Sequence, residues 1–181
     1  MSNHVDQFIG HLDRLHERDR GALAILRRSL GFALGAYPPA FAYVERFVGM
    51  DRKASDPFRL ALYLVAGLYA LHPETSAKSL ASGLAELMHR RNSASIENRF
   101  LATLGADPEN LAEYLRHVVT LFAADKLGID YAALFGDLVI WLNPYAAENR
   151  DQVRQKWARD FYGTLARYET EPPTAANLAT N

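Results

Sequence analysis

Apolar positions along this chain recur every three or four residues, and no stretch alternates in the way a half-buried strand would. Val5, Phe8, Ile9, Leu12 and Leu15 form the first such stripe. A second helix is predicted over Gly21 to Leu30, ending near Gly31. Pro38 and Pro39 open a helix that runs through Val48, because proline's fixed φ and missing N–H suit a first turn. Ser55-Asp56-Pro57 reads as a cap and a first-turn proline, starting a helix to about Leu71. That helix is apolar on every side, the mark of a centrally buried element, and His72-Pro73 stops it.

The pattern continues in the second half. Ser76 to His89 is the next predicted helix, followed by a polar break at Arg90 to Ser93. Ser95 caps a short helix to Leu104 with Ile96, Phe100, Leu101 and Leu104 on one side. Asp107-Pro108 repeats the cap-and-proline signal and starts a long helix to about Asp125. Asp130 caps another through Leu142, closed by Asn143-Pro144, and a last helix spans about Ala147 to Tyr168. The expected architecture is an all-α bundle of roughly eight helices in two packed sub-bundles, 1–92 and 93–168. Residues 169–181, with two prolines and no apolar period, read as a disordered tail.

Composition narrows the classes without naming one. The chain has 181 residues, 49% hydrophobic and 23% charged, ordinary values for a globular domain. It has no cysteine, which excludes disulfides, thiolate metal sites and cysteine nucleophiles. The longest uncharged apolar run, Leu60 to Leu71, is far short of the roughly 20 residues of a membrane span. The N-terminus lacks a basic region followed by an apolar run, so a cytoplasmic chain without a membrane partner is expected.

Catalytic constellations are nearly absent. The six histidines never fall at the i, i+4 spacing that sets two imidazoles on one helix face for a metal, and no metal or cofactor is expected. No nucleophile elbow, phosphate-cradling glycine loop or H-E-x-x-H occurs. Asp130 and Asp137 could share a helix face, but Asp130 is explained as a cap and Asp137 as the partner of an arginine. A hydrolase would need a pocket joining Asp137 or a histidine to a nucleophile. The sequence gives no reason to propose an enzyme.

The basic residues are more informative. Lys and Arg number 20 against 21 Asp and Glu, for a net charge of -1, so phosphate binding would require charge segregated onto one face. Arginine dominates, 16 to 4, and its planar fork donates to phosphate in pairs. In the last helix Val153, Trp157, Phe161 and Leu165 face the core, leaving Lys156, Arg159 and Arg167 on roughly the opposite side. Arg154 falls inside the apolar arc and is expected to snorkel or to pair with a buried acid. Leu111, Leu115, Val118, Val119 and Phe122 turn Arg116 outward, Arg27 and Arg28 are adjacent, and Arg90, Arg91 and Arg99 surround the break. Most aromatics belong to apolar faces, and base stacking is open only to those near an arginine, such as Tyr162.

An ordered set of strings resembles the CasB family, the small subunit of the type I-E CRISPR surveillance complex Cascade. These are RRSL at 27–30, GAYPPAFAYVERF at 35–47, YLVAGLYAL at 63–71, SASIENRFLATL at 93–104, IDYAALFGDLVIW at 129–141 and WARDFY at 157–162. The resemblance implies an all-helical, non-catalytic protein packed as two copies against the other Cascade subunits. It further implies contact with CRISPR RNA and target DNA that stabilises the R-loop without reading sequence. On this resemblance Arg27 and Arg28 match the family's arginine pair, and Arg99 the arginine before Phe-Leu in the central motif. Arg116 matches a basic position on the following helix, Lys156 and Arg159 flank Trp157, and Arg59 aligns loosely. The alternative is a purely protein–protein scaffold whose arginines pair with acidic partner surfaces.

Overall fold

A computed structural model describes residues 2–170; the expected tail beyond Thr170 lies outside the described residues. Helix α1 spans Ser2–Arg18 and α2 Arg20–Ser29, separated by Asp19, whose carboxylate caps α2 at the Ala22 amide. Then come the four-residue α3 (Phe41–Val44), α4 (Pro57–Leu71), α5 (Leu80–Arg91) and α6 (Ser95–Leu104). The chain continues with α7 (Leu111–Asp125), α8 (Tyr131–Trp141) and α9 (Ala147–Thr170). The only extended pairing among the described residues is one parallel bridge, Thr75 to Ile129. The fold is an all-α bundle.

α4 is the axis, as its all-round apolarity predicts. Every residue from Ala61 to Ala70 is buried. Asp56 holds its first turn by accepting from the Phe58 and Arg59 amides, and Pro57 occupies the position whose N–H would go unused. α2, α7 and α8 pack around it, and one hydrophobic cluster runs from Val5 to Phe161. The α2 contact is close because position 67 is glycine. A Cβ there would lie 2.5 Å from a Leu30 methyl.

The core crosses the break at Arg90 to Ser93. α5, which precedes it, packs most extensively on α9 and also on α6 and α7, while α8 packs back on α4 and α1. The polar tips of Tyr131, His72 and Trp141 inside this core are satisfied. The Tyr131 hydroxyl donates to the His72 carbonyl at 2.5 Å, and His72 Nε2 donates to the Leu127 carbonyl at 2.6 Å. Trp141 Nε1 reaches the Ala106 carbonyl at 3.3 Å.

Four local expectations are corrected. The segment 38–48 is not one helix but a 3₁₀ turn (Pro38–Ala40), α3 and a second 3₁₀ turn (Glu45–Phe47). Its carbonyls are taken by α1: His11 Nε2 donates to Tyr43 O at 3.1 Å and His4 Nε2 to Phe47 O at 2.8 Å. α5 starts at a Ser79 cap, not at Ser76, whose hydroxyl donates to the Gly128 carbonyl instead. Asp107-Pro108 forms a turn ahead of α7, with the helix beginning only at Leu111. Ser95 is inside α6, and its hydroxyl shares a hydrogen bond with Ser93 instead of capping the helix.

Candidate nucleic-acid interface

The cationic side chains divide into those held internally and those left to solvent. Arg59, one of the seven candidates, is internal: it is 9% exposed. Its Nε and Nη2 both donate to Glu45 Oε1, at 3.0 and 2.6 Å, and further bonds go to the Gly35 and Ala54 carbonyls. The Tyr63 hydroxyl donates to the same Glu45 oxygen at 2.6 Å. Gly35, at φ +71°, completes the nest, because a Cβ would collide with the Arg59 guanidinium. A buried guanidinium with four of its five N–H groups engaged inside the protein is not free to reach a phosphate, so Arg59 leaves the candidate set.

Lys156 is committed as well, in part. Its ammonium donates to both Asp137 oxygens at 2.8 and 2.9 Å, and Trp157 Nε1 donates to the same carboxylate at 2.7 Å. Asp137 therefore pairs with a lysine and an indole across α8 and α9, not with an arginine. The reason is angular. At about 100° per residue Lys156 sits on the flank of α9, about 100° from Trp157, while Arg159 stands roughly opposite Trp157. Arg154 reaches outward from the apolar arc, as the snorkelling alternative expects, and its acid is not a buried one. It pairs with the exposed Asp151, donates to the Ala106 carbonyl at 3.1 Å and lies over the Trp141 ring.

Arg27, Arg28, Arg99, Arg116 and Arg159 are exposed, and their side chains form no hydrogen bond or ion pair among the described residues. Each presents five N–H donors to water, ready for the paired oxygens of a phosphate. Arg99 has company that sequence reasoning missed. With Ala102, Thr103, Tyr114, His117 and Val118 it lines a groove of about 120 Å³ between α6 and α7. Tyr114 and His117 entered no motif, because only the α6–α7 packing sets them beside Arg99. Their one sequence signal is i, i+3 spacing on a helix.

The candidates do not fall on one helix face. On α7, Arg116 projects on the flank away from Tyr114 and Val118, and so away from Arg99. The Tyr162 hydroxyl donates to Glu97 at 2.8 Å and ties α9 to α6. Arg27 and Arg28 stand on α2, which packs on α1 and α4, so they belong to the other end of the core. Arg90 and Arg91, grouped with Arg99 in the sequence, pair with Glu86 and Asp125. Among the described residues no group of three acids and histidines could hold a metal, and no helix is long and apolar enough to cross a membrane.

The profile of the family described as CRISPR-associated protein Cse2 matches residues 22–162. A Cse2 protein of Thermus thermophilus is 40% identical over 168 residues, covering 91% of this chain and 93% of its own length. The crystal structure of M. ruber CasB is 32% identical with a TM-score of 0.75, covering 92% of this chain and 97% of that one. A chain of a structure described as a CRISPR RNA-guided surveillance complex shares the fold at 23% identity, with a TM-score of 0.79 over 93% of this chain and 96% of its own. All five free arginines lie inside the matched span, which covers well over half of the chain; the chain belongs to the Cse2 family.

Proposed function

We propose that this chain is a non-catalytic, cytoplasmic small subunit of an RNA-guided surveillance complex. It holds nucleic-acid backbone without reading sequence and thereby stabilises the R-loop. The observation that carries the reading is the set of exposed, unpaired arginines, Arg27, Arg28, Arg99, Arg116 and Arg159, on a chain of the Cse2 family. R-loop formation is a nearly balanced exchange of one duplex for another, so a few distributed phosphate contacts tip it. Contacts of this kind are indifferent to sequence and weaken with salt. The partners are the other subunits of the complex, CRISPR RNA, target DNA and a second copy of this chain. Lys156 contributes less, since its ammonium must first leave Asp137.

The test is binding of the full chain to single-stranded and duplex DNA of unrelated sequences across a salt series. Arg27→Ala, Arg99→Ala and Arg159→Ala are each expected to weaken binding equally for all sequences and to lower the salt slope by about 1. An unchanged slope in all three removes them from the interface. A protein–protein scaffold is the second reading, favoured by Met50 and Tyr145, which are almost fully exposed. It forbids DNA or RNA binding by the isolated chain even at low salt.

A further inference from the structure

A second cationic site is formed by residues that no motif joined. His4 of α1, Arg46 of the second 3₁₀ turn and Arg52 of the following loop line a cavity of about 450 Å³ with Phe47, Val48, Gly49 and Phe58. Both guanidinium groups lie on aromatic rings. Arg46 Cζ is 5.0 Å from the Phe47 ring centroid and Arg52 Cζ 4.0 Å from that of Phe58. A guanidinium laid on a ring keeps its N–H edge for acceptors in its plane.

Each basic group is also braced from behind. Arg46 Nη2 donates to His11 Nδ1 at 2.6 Å, Arg52 Nη1 to the two Asp56 oxygens at 3.0 and 3.2 Å, and His4 Nε2 to the Phe47 carbonyl at 2.8 Å. These contacts leave Nε and Nη1 of Arg46, and Nε and Nη2 of Arg52, without a hydrogen-bond partner among the described residues. Two guanidinium charges against the one carboxylate of Asp56 leave one positive charge over. Gly49 (φ +86°) leaves part of the wall as bare backbone, with no atom within 4 Å of where a Cβ would stand.

We infer that this cavity is a phosphodiester pocket that takes one backbone phosphate between Arg46 and Arg52. The surplus charge matches the single charge of a phosphodiester. The two arginines supply paired donors, which is the geometry phosphate oxygens accept. A volume of this size exceeds what one anion fills, and the aromatic walls suit the sugar or base attached to it. The pocket differs from the five solvent-facing arginines in being concave and pre-braced, so less side-chain freedom is lost on binding. It rests on the nucleic-acid reading only for the source of the phosphate.

The experiment uses the full chain and two probes, inorganic phosphate and a single-stranded oligothymidylate of about eight nucleotides, a length suited to one small binding surface. ¹⁵N–¹H signals of the Arg46 and Arg52 Nε groups are followed against sodium chloride at matched ionic strength. Both signals are expected to shift saturably with each probe and not with chloride. In fluorescence anisotropy R46Q/R52Q is expected to weaken the oligonucleotide about tenfold. R52Q alone leaves the Asp56 cap and the His11 contact in place, and should give part of that loss with an unchanged melting temperature. Shifts with chloride alone, or none with either probe, overturn the pocket. Shifts with phosphate but not with the oligonucleotide overturn the phosphodiester assignment in favour of a free anion. Parental affinity in R46Q/R52Q, with loss in R27A, R99A and R159A, removes the pocket and leaves the proposed function standing. The converse keeps the pocket and removes those three arginines.

Discussion

Arg59 and Arg99 are the same residue type on helices of the same bundle, and only their neighbours separate a structural role from a candidate phosphate contact. Arg59 enters the molecule because Glu45, Tyr63 and two carbonyls meet there, whereas nothing meets Arg99 except the rim of the α6–α7 groove. Single-residue pattern cannot tell the two apart, since Glu45 is fourteen positions from Arg59 and outside any helical spacing to it. The consequence is measurable. Glu45→Ala leaves the Arg59 guanidinium and the Tyr63 hydroxyl without their carboxylate and is expected to cost about 2–3 kcal/mol, less than a fully buried pair because Glu45 is half-buried. Arg59→Ala should likewise lower the urea midpoint while leaving the salt slope of DNA binding at the parental value. A lowered slope in Arg59→Ala with unchanged stability would return that residue to the interface.

Elements were legible where the signal is local, and illegible where a distant element overrides it. Asp56 and Asp130 are caps in the structure as in the sequence, because a carboxylate two or three residues ahead of a free amide is enough. Segment 38–48 has the same kind of opening, but α1 lies across it. His11 takes the Tyr43 carbonyl, which a continuous helix would pair with the Phe47 amide, His4 holds the free Phe47 carbonyl at its end, and the ladder breaks into short turns. Ser76 and Ser79 are equally good caps on paper. The chain chooses Ser79 because Ser76 is bound to the Gly128 and Ile129 backbone, some fifty residues on. The His11 contact also makes this junction respond to acid. Its Nε2 donates to Tyr43 O and its Nδ1 accepts from Arg46, so the neutral ring is the form that fits. Burial, then the Arg46 charge, hold its pKa below the usual 6.5. The unfolded chain therefore takes the proton more readily, so the stability His11 confers is present above its ordinary value of 6.5 and is lost as pH falls from there through the lower folded value. Urea midpoints should drop more steeply between about pH 7.5 and 5.5 in the parent than in His11→Gln. Equal slopes would show that His11 does not titrate against folding.

At the scale of the whole molecule, periodicity and caps disclosed the helices but not how the two halves share a core. The same limit applies to the candidate site. A wheel places Arg159 and Arg116 outward on their own helices, yet which arginines share a surface depends on packing that no wheel contains. The expected division at residue 92 is where this matters most for stability. α5 ends there, and its buried side chains, Leu80, Ala81, Leu84, Ala85 and Leu87, face helices that come later in the chain. α4 is likewise enclosed by α7 and α8. Cutting at 92 would expose these faces to water, at about 1.5–3 kcal/mol for each fully buried leucine, more than a domain of ordinary stability retains in total. The two halves are therefore expected to unfold together. Trp141 and Trp157, the two tryptophans of the chain, report on the second half, whereas far-UV circular dichroism reports on all helices. One coincident urea transition by both probes is the expected result, along with a 1–92 fragment that shows no cooperative transition of its own. A tryptophan transition displaced from the circular-dichroism one, together with a fragment that melts cooperatively, would mean two sub-bundles that fold separately. The arginines of α2 and those of α6, α7 and α9 would then sit on bodies free to move relative to each other.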